Sequence, residues 1–260
     1  MLKSMVEYTK NISDMNQQAY NKKHCLIILK ASHIFEVVDS IKEINMDKAW
    51  FVGYDEIQLS VVIPSFIQNT DYDYYWVTSH DLILNQVGVN CLVKTLEEKD
   101  PYINAVTGYC NLSLDDPRMT ISSEPIDFSG GAPTADSYNF ITKKEIKAIK
   151  DDVFETYFVN WGMSGMSKHL WLKYPFTPSA GEIDRSDLSF TLRFLKDESN
   201  KIFSHKSSFF LHLKSNLGVN PWSWHPDCWL VGKVPAHLIH EIDREETKYT
   251  FVQSKGYVKV

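Results

Sequence analysis

The sequence predicts an α/β fold, a mostly parallel sheet flanked by helices with a small α+β extension toward its C-terminal end. Three observations carry that expectation. Cys25-Leu26-Ile27-Ile28-Leu29 is a short unbroken apolar run, the pattern of a strand covered on both faces. Behind Ser32, a helix N-cap candidate, Ile34, Val37, Val38 and Ile41 recur at helical spacing. Ala49-Trp50-Phe51-Val52-Gly53-Tyr54 then reads as a second buried strand that ends at Asp55-Glu56. Strand, helix and strand within about thirty residues make a βαβ unit, and its right-handed crossover requires parallel strands.

The later elements follow in order. Tyr74-Tyr75-Trp76-Val77-Thr78 reads as a strand running into Ser79-His80-Asp81, and Leu84, Val87, Cys91 and Leu92 mark a helix. Ala105-Val106-Thr107-Gly108-Tyr109-Cys110 reads as a further strand, and Ser129-Gly130-Gly131-Ala132-Pro133 as a loop. Tyr138-Asn139-Phe140-Ile141 is expected as a strand and residues 143–158 as a helix carrying Ile146, Ile149 and Val153. Residues 184–195 are expected as an amphipathic helix with Leu188, Leu192 and Leu195 inward. A strand at Phe209-Phe210-Leu211-His212-Leu213 follows, and residues 250–260 suit an edge hairpin turning at Ser254-Lys255-Gly256. The expected division is a polar segment at 1–22, one main domain at 23–215 and an extension at 216–260 packed on it.

Composition narrows the function classes. A chain of 260 residues with 43% hydrophobic content can bury a full core, which excludes disorder for most of it. Its 27 Lys and Arg against 33 Asp and Glu argue against a dedicated nucleic-acid binder. No apolar stretch is long enough for a transmembrane helix, and the first residues lack the apolar centre of a secretory signal. Cys25, Cys91, Cys110 and Cys228 stand alone, without a Cys-x-x-Cys pair, as expected of reduced thiols in a cytoplasmic protein.

Ligands of parallel α/β sheets sit beyond the carboxyl ends of the strands. The residues at those exits are Lys30 and Ser32, Asp55 and Glu56, His80 and Asp81, the Gly130-Gly131 loop, and His212. In this order they resemble the nucleotide-sugar glycosyltransferases of the GT-A fold, a Rossmann-like architecture, and especially their inverting members. The resemblance spans residues 24–213 and rests on motifs. Asp55 matches the acidic residue that touches the nucleobase. Asp81 matches the last aspartate of the family's Asp-x-Asp element, with Ser79 in place of the first. The literal Asp71-Tyr72-Asp73 precedes its strand and so falls at the wrong end of the sheet. Ser60-Val61-Val62-Ile63-Pro64-Ser65-Phe66 imitates the family's opening strand, but leaves too little chain before Asp81. Ser186-Asp187, followed by Phe190 and Arg193, matches the segment that carries the general base, with serine replacing a glutamate.

The resemblance implies a donor that is a nucleoside-diphosphate sugar, an acceptor that is a glycan or glycoconjugate, and inverting transfer. Lys30, Ser32, Asp55, Glu56, His80, Gly130 and Gly131 are the implied donor contacts, and Asp187 the implied base. Asp81 and His212 are the implied holders of a divalent cation. With imidazole among the ligands, Mn²⁺ is preferred over Mg²⁺. Trp161, Trp222 and Trp224 offer flat aromatic faces to an acceptor sugar, or pack the extension onto the sheet. Two other readings stand beside this one. The serine substitutions at 79 and 186 suit a non-catalytic binding protein of the same fold. Asp55, Asp81 and His212 would also serve a metal-dependent phosphoesterase, although His80-Asp81 is the only paired motif of that kind.

Overall fold

The computed structural model describes residues 20, 22–30, 35–52, 56–79, 81–112, 116–126, 137–177 and 186–212, and two strands at 249–252 and 256–259. The first half runs β1 (His24–Lys30), α1 (Phe35–Lys42), β2 (Asp47–Val52), α2 (Glu56–Asn69), β3 (Tyr74–Ser79), β4 (Leu82–Ile83) and α3 (Gln86–Glu97). Next come β5 (Asn104–Thr107), β6 (Tyr109–Cys110), β7 (Arg118–Ser122), β8 (Phe140–Thr142), α4 (Lys143–Ala148) and β9 (Val153–Thr156). The chain continues through β10 (Ser164–Ser167), α5 (Lys168–Lys173), α6 (Ser186–Leu195), β11 (Lys201–His205), β12 (Phe209–His212), β13 (Tyr249–Val252) and β14 (Gly256–Lys259).

Nine strands form the main sheet in the order β14-β13-β2-β1-β3-β10-β5-β11-β9. Strands β13, β2, β1, β3, β5 and β11 point one way, and β14, β10 and β9 run against them. The fold is therefore α/β with a mostly parallel sheet flanked by helices. Alternation along β1 explains why both faces are covered. Leu26 and Ile28 pack with Val37, Val38 and Ile41 of α1 and Val89, Leu92 and Val93 of α3. Cys25 and Ile27 face the other way, toward Leu59, Ile63 and Phe66 of α2, Trp171 of α5 and Phe190 of α6. Residues 60–66, strand-like in composition, lie inside α2, because Leu59, Val62, Ile63, Phe66 and Ile67 fall on one buried helical face.

Three expectations are corrected. The helix expected over residues 143–158 ends at Ala148, and Val153–Thr156 is instead strand β9, paired antiparallel with β11. A capping box between Thr142 and Glu145 starts α4. Beyond the polar Lys150-Asp151-Asp152 stretch, Phe154 and Thr156 point inward and Glu155 outward, a period of two. On α6, Leu192 is 40% exposed, while the rings of Phe190 and Phe194 fill the core with Leu188. The strand expected at 105–110 breaks at Gly108, where β5 leaves the main sheet and β6 enters a second sheet of order β4-β12-β6.

Gly165 lets β10 lie beside β3, opposite Trp76. A Cβ there would sit 2.4 Å from the ring of the fully buried Trp76. Gly165→Ala is expected to destabilise the protein by about 1–3 kcal/mol, as overpacking of a rigid core does. Denaturant unfolding measures it, and a wild-type midpoint would show that Trp76 can move.

Candidate active site at the carboxyl end of the sheet

Strands β3 and β5 end at the same edge of the main sheet, and the three short strands β4, β12 and β6 are built across that edge. β12 pairs antiparallel with β4, setting His212 opposite Leu82, and parallel with β6, setting Phe210 opposite Cys110. This register carries His212 to the residue that precedes β4. His212 Nε2 lies 3.0 Å from Asp81 Oδ2, although 131 positions separate them in the chain. The Ser79 hydroxyl donates to Asp81 Oδ1 at 2.7 Å, and the backbone N–H of His212 donates to Asn111 Oδ1 at 3.1 Å. Asp81 is buried and His212 half-buried.

Asp187 lies in the first turn of α6 and is half-buried. Its Oδ1 accepts the Leu188 N–H at 2.9 Å. The Thr191 hydroxyl donates to the Asp187 carbonyl at 2.8 Å and accepts the Val159 N–H at 3.0 Å, which ties this turn to residues 158–163. Asn160 in that stretch receives its position from Thr107, whose hydroxyl accepts the Asn160 N–H at 3.1 Å. The Asn160 amide in turn donates to the Cys110 sulfur at 3.8 Å. Burial pushes the Cys110 thiol up to about 12, and the carboxylates of both Asp81 and Asp187 push it the same way. Asp81, His212, Asn160, Cys110 and Asp187 share the carboxyl end of β3 and β5.

Other sequence candidates are placed as follows. Lys30 closes β1, and Glu56 opens α2. Ser32, Asp55, His80, Gly130, Gly131, Trp222 and Trp224 lie outside the described residues. For Trp161 the structure favours packing, the second of the two readings the sequence left open. This residue is 7% exposed, stacked on Trp171 at 5.8 Å and packed on Phe176 and Phe190. Asp71 and Asp73 stand before β3, where Asp71 pairs with Lys23 Nζ and Asp73 accepts the Lys23 N–H. Sequence reasoning missed Asn111, Asn160 and Thr191. Asn111 directly follows the 105–110 apolar run, so inspection of strand exits could have found it. Asn160 and Thr191 join the site only through tertiary contacts and leave no periodic trace.

The donor set for a cation is one carboxylate and one imidazole. Among the described residues no three His, Cys, Asp or Glu side chains gather as a metal group. Asp81 and His212 fit a divalent ion only where diphosphate oxygens and water complete its shell. Among the described residues no helix is long and apolar enough to cross a membrane.

No protein-family model matches the chain, and no curated protein matches it. Its fold is similar to that of a viral protein from STIV, with 10% identity, a TM-score of 0.45, and coverage of 73% of this chain and 81% of that one. It is also similar to the mannosyltransferase PcManGT from Pyrobaculum calidifontis, solved in complex with GDP-Man and Mn²⁺. There the identity is 12% and the TM-score 0.46, with coverage of 92% of this chain and 75% of that one. At such identities a likeness concerns the fold alone.

Proposed function

We propose that the protein transfers a sugar from a nucleoside-diphosphate sugar to an acceptor hydroxyl, with inversion at the anomeric carbon. One observation carries this reading: Asp81 and His212, distant in sequence, meet at 3.0 Å at the carboxyl end of the sheet. The ordered match of the motifs from Asp55 to His212 to the GT-A glycosyltransferases supports it.

In this reading Asp81 and His212 would hold a divalent cation, Mn²⁺ by preference, which when bound would stabilise charge on the departing diphosphate. Ser79 orients the Asp81 carboxylate by donating to Oδ1, and Asn111 holds the His212 backbone. Asp187 takes the proton from the acceptor hydroxyl. The acceptor oxygen then forms its bond to C1 as the bond from C1 to the phosphate oxygen breaks, and that electron pair leaves with the diphosphate. Asp55 contacts the base or ribose, with Lys30, Ser32, Glu56, His80, Gly130 and Gly131 around the donor. Trp222 and Trp224 face the acceptor. Cytoplasmic residence belongs to the same proposal.

One observation favours a second reading. Asp81 already accepts from Ser79, is paired with His212, and has no third acidic or imidazole donor gathered beside it among the described residues. A site so closed on itself suits a protein that binds a nucleotide sugar without turning it over. A turnover assay separates the two. Release of nucleoside diphosphate from a panel of sugar nucleotides, in the presence of Mn²⁺ and mixed acceptors, is expected from the wild type and not from Asp81→Ala. Binding without release in the wild type would select the second reading.

A further inference from the structure

A second polar network lies at the opposite, amino-terminal end of β1 and β3, buried and unused by the proposed chemistry. The His24 side chain is fully buried. Its Nδ1 faces the Trp76 indole nitrogen at 2.9 Å, and its Nε2 faces Glu97 Oε1 at 3.1 Å. An indole N–H can only donate, so Nδ1 must present its lone pair. The single ring proton is thereby fixed on Nε2, where it is donated to Glu97. Geometry alone defines a neutral imidazole in one tautomer.

The same network straps the chain before β1 onto α3. The Lys22 N–H donates to Glu97 Oε1 at 2.9 Å, sharing the atom that His24 uses. The Tyr20 hydroxyl donates to Asn90 Oδ1 at 2.9 Å and accepts from Gln86 Nε2 at 3.0 Å. The Tyr20 ring lies tilted against His24 at 5.1 Å, and Tyr74 stacks on its other side at 5.0 Å.

We infer that His24 is a pH-sensitive latch whose protonation breaks its bond with Trp76 and releases Tyr20 and Lys22 from α3. A proton on Nδ1 would set two N–H donors head-on at 2.9 Å in a site sealed from water. The ring can relieve this only by leaving, and with it go the face against which Tyr20 packs and the donor that holds Glu97 Oε1 in place for the Lys22 N–H. The groups around it compete. Desolvation is the largest influence and lowers the affinity of His24 for its proton, while Glu97 on α3 and Asp73 before β3 raise it. Tyr20, pushed up to about 12 by burial, and Tyr74, also raised by burial, stay neutral across the range. Of the neighbouring lysines, Lys23 pairs through Nζ with Asp71 and Lys22 is exposed.

The direction follows from linkage. The folded value of His24 is depressed, so its stabilising contribution is complete above about pH 6.5 and is lost as pH falls through the folded value. The test is an NMR titration of the full chain from about pH 7.5 to 4.5, following the Trp76 indole proton and the Lys22 amide exchange rate. The expected result is loss of the hydrogen-bonded indole shift and at least about tenfold faster Lys22 exchange, beyond the intrinsic pH effect, in one transition. On the Lys22 amide, the readout that both variants keep, Glu97→Gln should move that transition to lower pH and Trp76→Phe to higher pH. The two opposite shifts keep the test decisive where His24→Gln fails to fold. An unchanged indole signal across the range, or a transition that neither substitution moves, would overturn the latch.

Discussion

Asp187→Asn is expected to slow transfer by about 10²–10⁴-fold while leaving nucleotide binding and the melting temperature close to wild type. Asparagine keeps the side-chain oxygen that accepts the Leu188 N–H, so the local geometry of the turn survives. It cannot take a proton from the acceptor hydroxyl. A carboxylate that served only the start of α6 would contribute about 0.3–1 kcal/mol through the helix dipole. In that case Asp187→Asn would lower the melting temperature and leave turnover near normal. Single-turnover kinetics beside a thermal melt distinguishes the two, because each role moves a different readout. A product that keeps the donor's anomeric configuration would contradict direct displacement.

The largest effect on stability is expected at Trp171. Its side chain is fully buried, its indole N–H donates to the Tyr75 carbonyl at 2.9 Å, and its ring touches Trp161 and Phe190. Trp171→Ala should cost about 3–5 kcal/mol, the range for removing a large aromatic from a core. Phe190 stands one turn from Asp187 on α6, so this aromatic cluster also holds the carboxylate in place. Leu192→Ala, on the exposed side of the same helix, should stay within about 0.5 kcal/mol of wild type. Equal losses at the two positions by denaturant unfolding would contradict the assignment of the inner face to the aromatics.

The first βαβ unit was legible because its apolar runs are both unbroken and separated by a helical period. Cys25 to Leu29 and the spacing of Val37, Val38 and Ile41 admit few other structures. Less legible were segments whose partners are distant. Residues 153–156 carry strand alternation, yet they follow directly on a helical pattern, and only pairing with β11 decides between them. β10, Ser164-Gly165-Met166-Ser167, carries a single large apolar side chain, Met166, too little for a strand signal of its own. It is buried because it lies between β3 and β5, and the Trp76 ring beside Gly165 leaves no room for a Cβ there. At the site, strand exits pointed to Asp81 and His212, since exits are where side chains escape the pleat. The face of α6 was misread at Leu192, because Phe190 and Phe194 compete for the same stripe and bury more surface. Asn160 was invisible for another reason: four hydroxyls, from Thr78, Thr107, Ser164 and Thr191, position its loop, and none of them is periodic.

In the proposed function the carboxyl end of β3, with Asp81 and His212 at its centre, receives a nucleoside diphosphate together with a divalent cation. A thermal-shift series with nucleoside diphosphates, each with and without Mn²⁺, tests it on the intact chain. Ligand at about a hundred times its dissociation constant should stabilise the folded state by about 2.7 kcal/mol. The account predicts a rise in melting temperature for one base preference, larger with Mn²⁺ than without it, and absent in Asp81→Ala. A rise of equal size in Asp81→Ala, or no rise with any nucleoside diphosphate in either condition, would contradict it.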